Sequence, residues 1–198
     1  MPANLDDIKR LREMTGAGVG DCRSALEAAG NDIEKAKDHL RTRGKAIADR
    51  KAARATKQGA IGAYIHGGRI GVLVELNCES DFVARTEEFQ SLLRDICLQV
   101  ASMNPISIRR EDVPADVVER EKAIYQAQAA EQSKGKPAGV LEKIATGRLE
   151  KFFKERCLLE QPFVRDDKIS VRDRIQAAVG KLQENIQLRR ISRLELGE

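Results

Sequence analysis

Two runs, Ala60-Ile61-Gly62-Ala63-Tyr64-Ile65-His66 and Arg69-Ile70-Gly71-Val72-Leu73-Val74-Glu75-Leu76, are separated only by Gly67-Gly68. Strand-forming runs joined by a Gly-Gly pair specify a tight hairpin, because both central residues of such a turn need a positive φ that glycine adopts without steric penalty. The hairpin commits the chain to an antiparallel sheet. Far downstream, Ile186, Leu188, Ile191 and Leu194 mark a final strand whose alternation needs a sheet to join. The sheet is therefore closed by residues distant in sequence.

The rest of the chain reads as helix. Charged residues make up 33% of the sequence, aromatics 4%, and tryptophan is absent, which favours charge-laced helices over an aromatic-rich β-sandwich. Leu5, Ile8 and Leu11, then Val19, Cys22, Ala25, Leu26 and Ala29, then Ile33, Ala36 and Leu40 recur at helical spacing, giving three short helices with one buried face each. Thr15-Gly16-Ala17-Gly18 separates the first from the second, and Gly30-Asn31-Asp32 stops the second and caps the third. From Arg41 to Lys57 the sequence is basic and alanine-rich, predicting an exposed helix that leaves the bundle as a linker. Phe89, Leu92, Leu93, Ile96 and Val100 predict an amphipathic helix ending before Asn104-Pro105. Sparse apolar stripes through Val117, Ile124, Leu141, Ala145, Leu149 and Phe152, on either side of Ser133-Lys134-Gly135-Lys136-Pro137, predict an antiparallel helical hairpin that protrudes from the body. A further helix follows at about 171–182. The expected fold class is α+β: a helical bundle over 1–43, a basic helical linker over 44–57, the first part of a sheet-helix core over 58–110, the hairpin over 111–156 and the closing part of the core over 157–198.

Several functional classes lose support at this stage. The net charge of +4 arises from 35 basic and 31 acidic residues, an ordinary balance that identifies no partner. Gly16-Ala17-Gly18-Val19-Gly20 enters a helix, but a helix precedes it and neither nucleotide-binding glycine spacing is met. Cys22, Cys78, Cys97 and Cys157 are widely spaced, and His39 and His66 are the only histidines, so no metal-ligating or cofactor pattern emerges and free thiols are expected. No apolar stretch of signal-peptide or membrane-spanning length occurs, so a cytoplasmic address is expected. The basic run at 41–57 is the best case for RNA or ribosome binding, yet it contains no aromatic on which a base could stack. A thiol enzyme is the third class to weigh, with nothing to lower a thiol pKa.

One loop stands out. Asn77-Cys78-Glu79-Ser80-Asp81-Phe82-Val83 follows the better strand and sets an acid beside a large aromatic. An exposed Phe82 would anchor in a partner's pocket, with Asp81 acting near a cation. Alternatively, Phe82 tucks under the following helix with Asp81 or Thr86 capping it. The residues alone leave both readings open.

Three segments together resemble translation elongation factor Ts: LREMTGAGVGDCRSAL at 11–26, HGGRIGVLVELNCESDFVAR at 66–85 and GRLEKFFKERCLLEQPFV at 147–164. The segment GKLQENIQLRR from Gly180, without the family's usual compact spacing, and the end RLELGE agree more weakly. The resemblance spans nearly the whole chain in the family's order. It implies a ubiquitin-associated-like N-terminal bundle, a coiled-coil hairpin over 111–156 and a non-enzymatic guanine-nucleotide exchange factor for elongation factor Tu. By the same resemblance, the loop Ser80, Asp81, Phe82 and Val83 approaches the partner's magnesium and phosphate site, and Phe82 wedges into its GTPase domain. Arg12 and Val19 fall where the family's N-terminal domain touches the partner, and His66 falls in a second contact strand. Two positions depart from the family pattern: Gly20 replaces a bulky apolar residue, and Ser80 replaces the usual threonine. Longer members resemble a core of two related halves, whereas one such unit is found here. A homodimer is therefore expected, in a two-to-two complex with elongation factor Tu.

Overall fold

Short side chains and left-handed residues set the limits of the first three helices in the structure, a computed structural model that describes residues 2–132 and 137–198. Asn4 caps α1 (Leu5–Thr15) by accepting from the Asp6 N–H at 3.3 Å. The helix ends at Gly16, whose φ of 66° lets its N–H reach the Arg12 carbonyl at 2.7 Å. After α2 (Val19–Ala28), Gly30 and Asn31 both take positive φ, and the Asp32 carboxylate accepts from the Lys35 N–H at 3.1 Å to open α3 (Ile33–Lys51). Ile8, Leu11, Cys22, Ala25, Leu26 and Ala36 form the bundle core, with Ile33 and Leu40 packed at its margin. Leu5 was expected on this face but is 72% exposed. At about 100° per residue it lies about 120° around the helix from Leu11, outside the buried stripe.

The basic helix stops at Lys51 instead of running on to Lys57. Asn185 Nδ2 donates to the carbonyls of Ala52 and Arg54 at 3.3 and 2.8 Å, and Gln187 Nε2 donates to Ala52 at 3.2 Å. With those carbonyls taken by distant side chains, the backbone turns and enters β1 (Gln58–His66) extended. The hairpin then closes as the glycines require: Gly67 and Gly68 have φ of 55° and 69°, and β2 (Ile70–Cys78) follows. Residues 81–83, read from sequence as the end of a loop, belong to a single helical turn, α4 (Asp81–Ala84), which leads to α5 (Glu87–Met103).

Two further helices, α6 (Ala115–Gln132) and α7 (Ala138–Arg156), follow; the expected turn over 133–136 lies outside the described residues. A small hairpin of β3 (Pro162–Phe163) and β4 (Asp166–Ser170), which the sequence reading did not anticipate, precedes α8 (Val171–Leu182) and β5 (Gln187–Glu195). The main sheet is antiparallel in the order β1-β2-β5. The central strand β2 buries Val72, Val74, Leu76 and Cys78. The fold class is α+β, as its alternating and helical periodicities predicted.

The chain forms two compact units. The first comprises residues through Gly62, Glu75–Arg94 and Asp173–Arg189. Within it α3 meets α8 at two glycines: a Cβ on Gly180 would lie 3.2 Å from the Gly44 Cα. Lys181 extends from α8 across Gly16 and pairs with Glu88, which Arg174 also approaches at 3.4 Å. The second unit comprises Ala63–Val74, Asp95–Arg172 and Arg190–Glu198. There α6 and α7 run antiparallel, with Arg148 on α7 bonded to Gln128 and Gln132 on α6, and Val113, Phe153 and Cys157 forming a core at their base. Arg110 bridges Glu150 and Glu160 and stacks 4.8 Å from the Phe153 ring centroid. Buried Gln99 satisfies its amide through Gln161, the Pro162 carbonyl and the Val164 N–H, holding the β3-β4 hairpin to α5.

Candidate functional site

The loop after β2 is ordered from both sides. Ser80, with extended backbone, caps α4 by accepting from the Val83 N–H at 3.4 Å. Its hydroxyl also donates to Glu184 Oε1 at 2.6 Å, and Glu184 Oε2 accepts the backbone N–H groups of Glu79 and Ser80 at 3.1 and 2.9 Å. In return the Glu79 carboxylate accepts the Asn185 N–H at 2.7 Å and lies 3.5 Å from the Arg54 guanidinium. Cys78, fully buried below, points its thiol at the Ser80 carbonyl at 3.0 Å.

On this base Phe82 is 81% exposed. The alternative in which it tucks under the next helix is not what the fold adopts; on that helix Phe89 is fully buried, and Thr86 caps α5 by accepting the Phe89 N–H at 3.3 Å. The capping half of that alternative holds for Thr86, while Asp81 instead pairs with Arg85 at 3.0 Å. Val83 is half-buried, and its carbonyl accepts from the Thr86 hydroxyl at 2.7 Å. An aromatic ring in solvent beside a carboxylate, both on a rigid turn, is suited to entering a pocket and altering the surroundings of a cation.

The other expected contact residues divide between the units. Arg12 is exposed near the end of α1, and Val19, the first residue of α2, is 53% exposed; both belong to the unit that carries the loop. A Cβ on Gly20 would meet nothing within 4 Å, so glycine there removes apolar surface without relieving any clash. His66 is exposed at the end of β1 in the other unit, with its Nδ1 2.9 Å from the Tyr64 hydroxyl. Sequence reasoning missed Glu184, Glu79 and Arg85. Arg85 stands four residues from Asp81, a legible helical ion-pair spacing. No local pattern links position 184 to position 80.

The basic run is largely occupied by protein groups. Arg41 pairs with Asp38, Arg43 with Asp21 and Arg54 with Glu79, and Lys51 donates to the Gln183 carbonyl at 2.6 Å. All four cysteines are free and buried. Burial pushes the Cys78 and Cys97 thiols up to about 11 and raises those of Cys22 and Cys157, the reverse of what a nucleophilic thiolate requires. Among the described residues no group of three His, Cys, Asp or Glu side chains could hold a metal ion. No helix is long and apolar enough to cross a membrane, again among the described residues.

The family model described as "Elongation factor TS" matches residues 21–198. The chain belongs to the elongation factor Ts family. Elongation factor Ts of Carboxydothermus hydrogenoformans is 56% identical over 192 residues, covering 96% of this chain and 88% of the relative. That of Thermotoga petrophila is 53% identical over 199 residues, covering 100% and 98%. That of Anaeromyxobacter dehalogenans is 55% identical over 192 residues, covering 96% and 87%. Membership of the elongation factor Ts family gives the chain a role in translation elongation.

Proposed function

We propose that the chain is a cytoplasmic, non-enzymatic guanine-nucleotide exchange factor that binds elongation factor Tu and promotes GDP release by disturbing its magnesium and phosphate site. The observation that carries this reading is the exposed Phe82 on a capped turn, with Asp81 beside it. Magnesium bridges nucleotide phosphates to a GTPase, so displacing the elements that hold the ion weakens GDP without any covalent step. Phe82 supplies the displacement and Asp81 a competing charge. Arg85 holds that carboxylate until the partner's cation site competes for it. Arg12 and Val19 extend the contact from the bundle, and His66 adds a second point. Because the factor favours the nucleotide-free GTPase, reciprocity requires that an incoming nucleotide expel it. The absence of any aromatic in 41–57 on which a base could stack favours this reading over RNA binding there.

We infer further that two copies associate and form a two-to-two complex with the GTPase. Ile65 on β1, Leu73 on β2, Leu194 on β5 and Leu196 just beyond it, all in the second unit, are exposed apolar side chains, and β1 and β5 are the edge strands of the main sheet. Sedimentation of a stable monomer at micromolar concentration would remove the dimer and leave the exchange reading intact. The exchange reading is tested by stopped-flow release of a fluorescent GDP analogue from elongation factor Tu. The full chain should accelerate release in proportion to its concentration until saturation; no acceleration would refute it.

A further inference from the structure

The exchange loop does not hold itself in place. A single turn such as α4 has too few internal hydrogen bonds to persist alone. On the α5 side the Thr86 hydroxyl and the Gln90 amide donate to the Val83 and Ala84 carbonyls at 2.7 Å each; on the side of β2 the hold comes from Glu184, 104 residues from Ser80 along the chain. The two carboxylate oxygens divide the task. Oε2 takes the Glu79 and Ser80 N–H groups at 3.1 and 2.9 Å, and Oε1 takes the Ser80 hydroxyl at 2.6 Å. That hydroxyl is thereby turned so that its free lone pair faces the Val83 N–H at 3.4 Å. A continuous line of bonds thus runs from Glu184 through Ser80 to the backbone that carries Phe82. The return bond, Asn185 N–H to Glu79 at 2.7 Å, fixes Glu184 by way of its neighbour, so each segment clamps the other.

We propose that Glu184 is the positioning residue of the loop: it sets the direction in which Phe82 leaves the surface and contributes to exchange through that ring. The inference rests on the exchange reading above. Removing the carboxylate leaves two backbone N–H groups and a hydroxyl without acceptors, frees the Ser80 rotor and releases the cap on α4. Phe82 then has to be ordered during binding rather than before it, at an entropic cost that the intact clamp avoids. The requirement at position 80 is accordingly a hydroxyl that donates to Glu184 and accepts from Val83, which serine meets as threonine would.

The test is a double-mutant cycle on GDP release from elongation factor Tu, with Glu184→Ala, Phe82→Ala and the pair, each in the full chain. Glu184→Ala should lower the release rate at limiting factor by about tenfold, as a misaimed contact group does. In the Phe82→Ala background the same substitution should change the rate by less than about twofold, because its route of action is already gone. Amide hydrogen exchange on the free protein supplies an independent readout: Glu79, Ser80 and Val83 should lose protection in Glu184→Ala while Leu26 in the bundle keeps its own. Additive losses in the double variant would overturn the proposal, as would a Glu184→Ala variant that matches wild type while Phe82→Ala is impaired. A fully active Phe82→Ala would overturn the loop's part in exchange and the route through Glu184 with it, whereas a wild-type chain that did not accelerate GDP release would fail the exchange reading instead. Unchanged loop protection would still overturn the positioning role in that case.

Discussion

Replacing Phe82 by alanine separates binding from folding, because the ring stands almost wholly in solvent. The residue is 81% exposed. With about 200 Å² on a phenylalanine, about 40 Å² is buried, worth about 1 kcal/mol of folding stability at about 25 cal/mol per Å². That corresponds to a melting-temperature drop of about 2–4 °C for a chain of this length. The remaining area of about 160 Å² is available to a partner and corresponds to about 4 kcal/mol if fully buried. After about 1 kcal/mol for ordering the side chain and further imperfect burial, the concentration of factor giving half-maximal GDP release should rise about a hundredfold. Circular-dichroism melting and stopped-flow release of a fluorescent GDP analogue measure the two quantities on one preparation. The buried neighbour Phe89 gives the contrast, since its truncation should cost about 3–5 kcal/mol of stability. A Phe82→Ala variant within about twofold of wild type in exchange, or one that melts more than about 8 °C lower, would refute the reasoning.

The close crossing of α3 and α8 predicts that Gly180→Leu destabilises the protein by about 1–3 kcal/mol, because the new Cβ meets the Gly44 backbone; an unchanged urea midpoint would contradict this. The Arg110 hydrogen bonds hold the Glu160 carboxyl below its ordinary value of 4.5. A group lowered on folding contributes stability that is present above its unfolded pKa and lost as pH falls through its native one. Stability should therefore fall below about pH 4.5, and Glu160→Gln should flatten that slope in urea titrations at successive pH values; equal slopes would count against the pairing. The four buried thiols, each raised by burial, should react with a disulfide reagent at pH 8 only on unfolding, and a fast-reacting thiol in the native protein would contradict their placement.

Local patterns were reliable where the controlling interaction was also local. Gly67-Gly68 demanded positive φ and has it, Asp32 caps the helix it was assigned to, and α8 spans Val171–Leu182 where the periodicity placed it. The acid-aromatic pair was visible as a candidate from residue types alone, and resemblance assigned it a partner. What failed had a distant cause. The basic helix stopped early because Asn185 and Gln187 take the carbonyls of Ala52 and Arg54, and no feature between 41 and 57 announces that. The β3-β4 hairpin depends on buried Gln99, more than sixty residues from its partners in sequence.

The loop shows the division most clearly. Its sequence determined that a hydroxyl, a carboxylate and an aromatic would stand in consecutive positions after a strand, with a helix to follow. Whether Phe82 lay inside or outside was undetermined, because an aromatic just before a helix can either pack under it or stand in solvent. Tertiary structure left Phe82 in solvent, while Phe89 is buried as the periodicity of its helix required. The same fold brings Glu184 under Ser80, since a hydrogen bond depends on distance in space and is indifferent to separation along the chain.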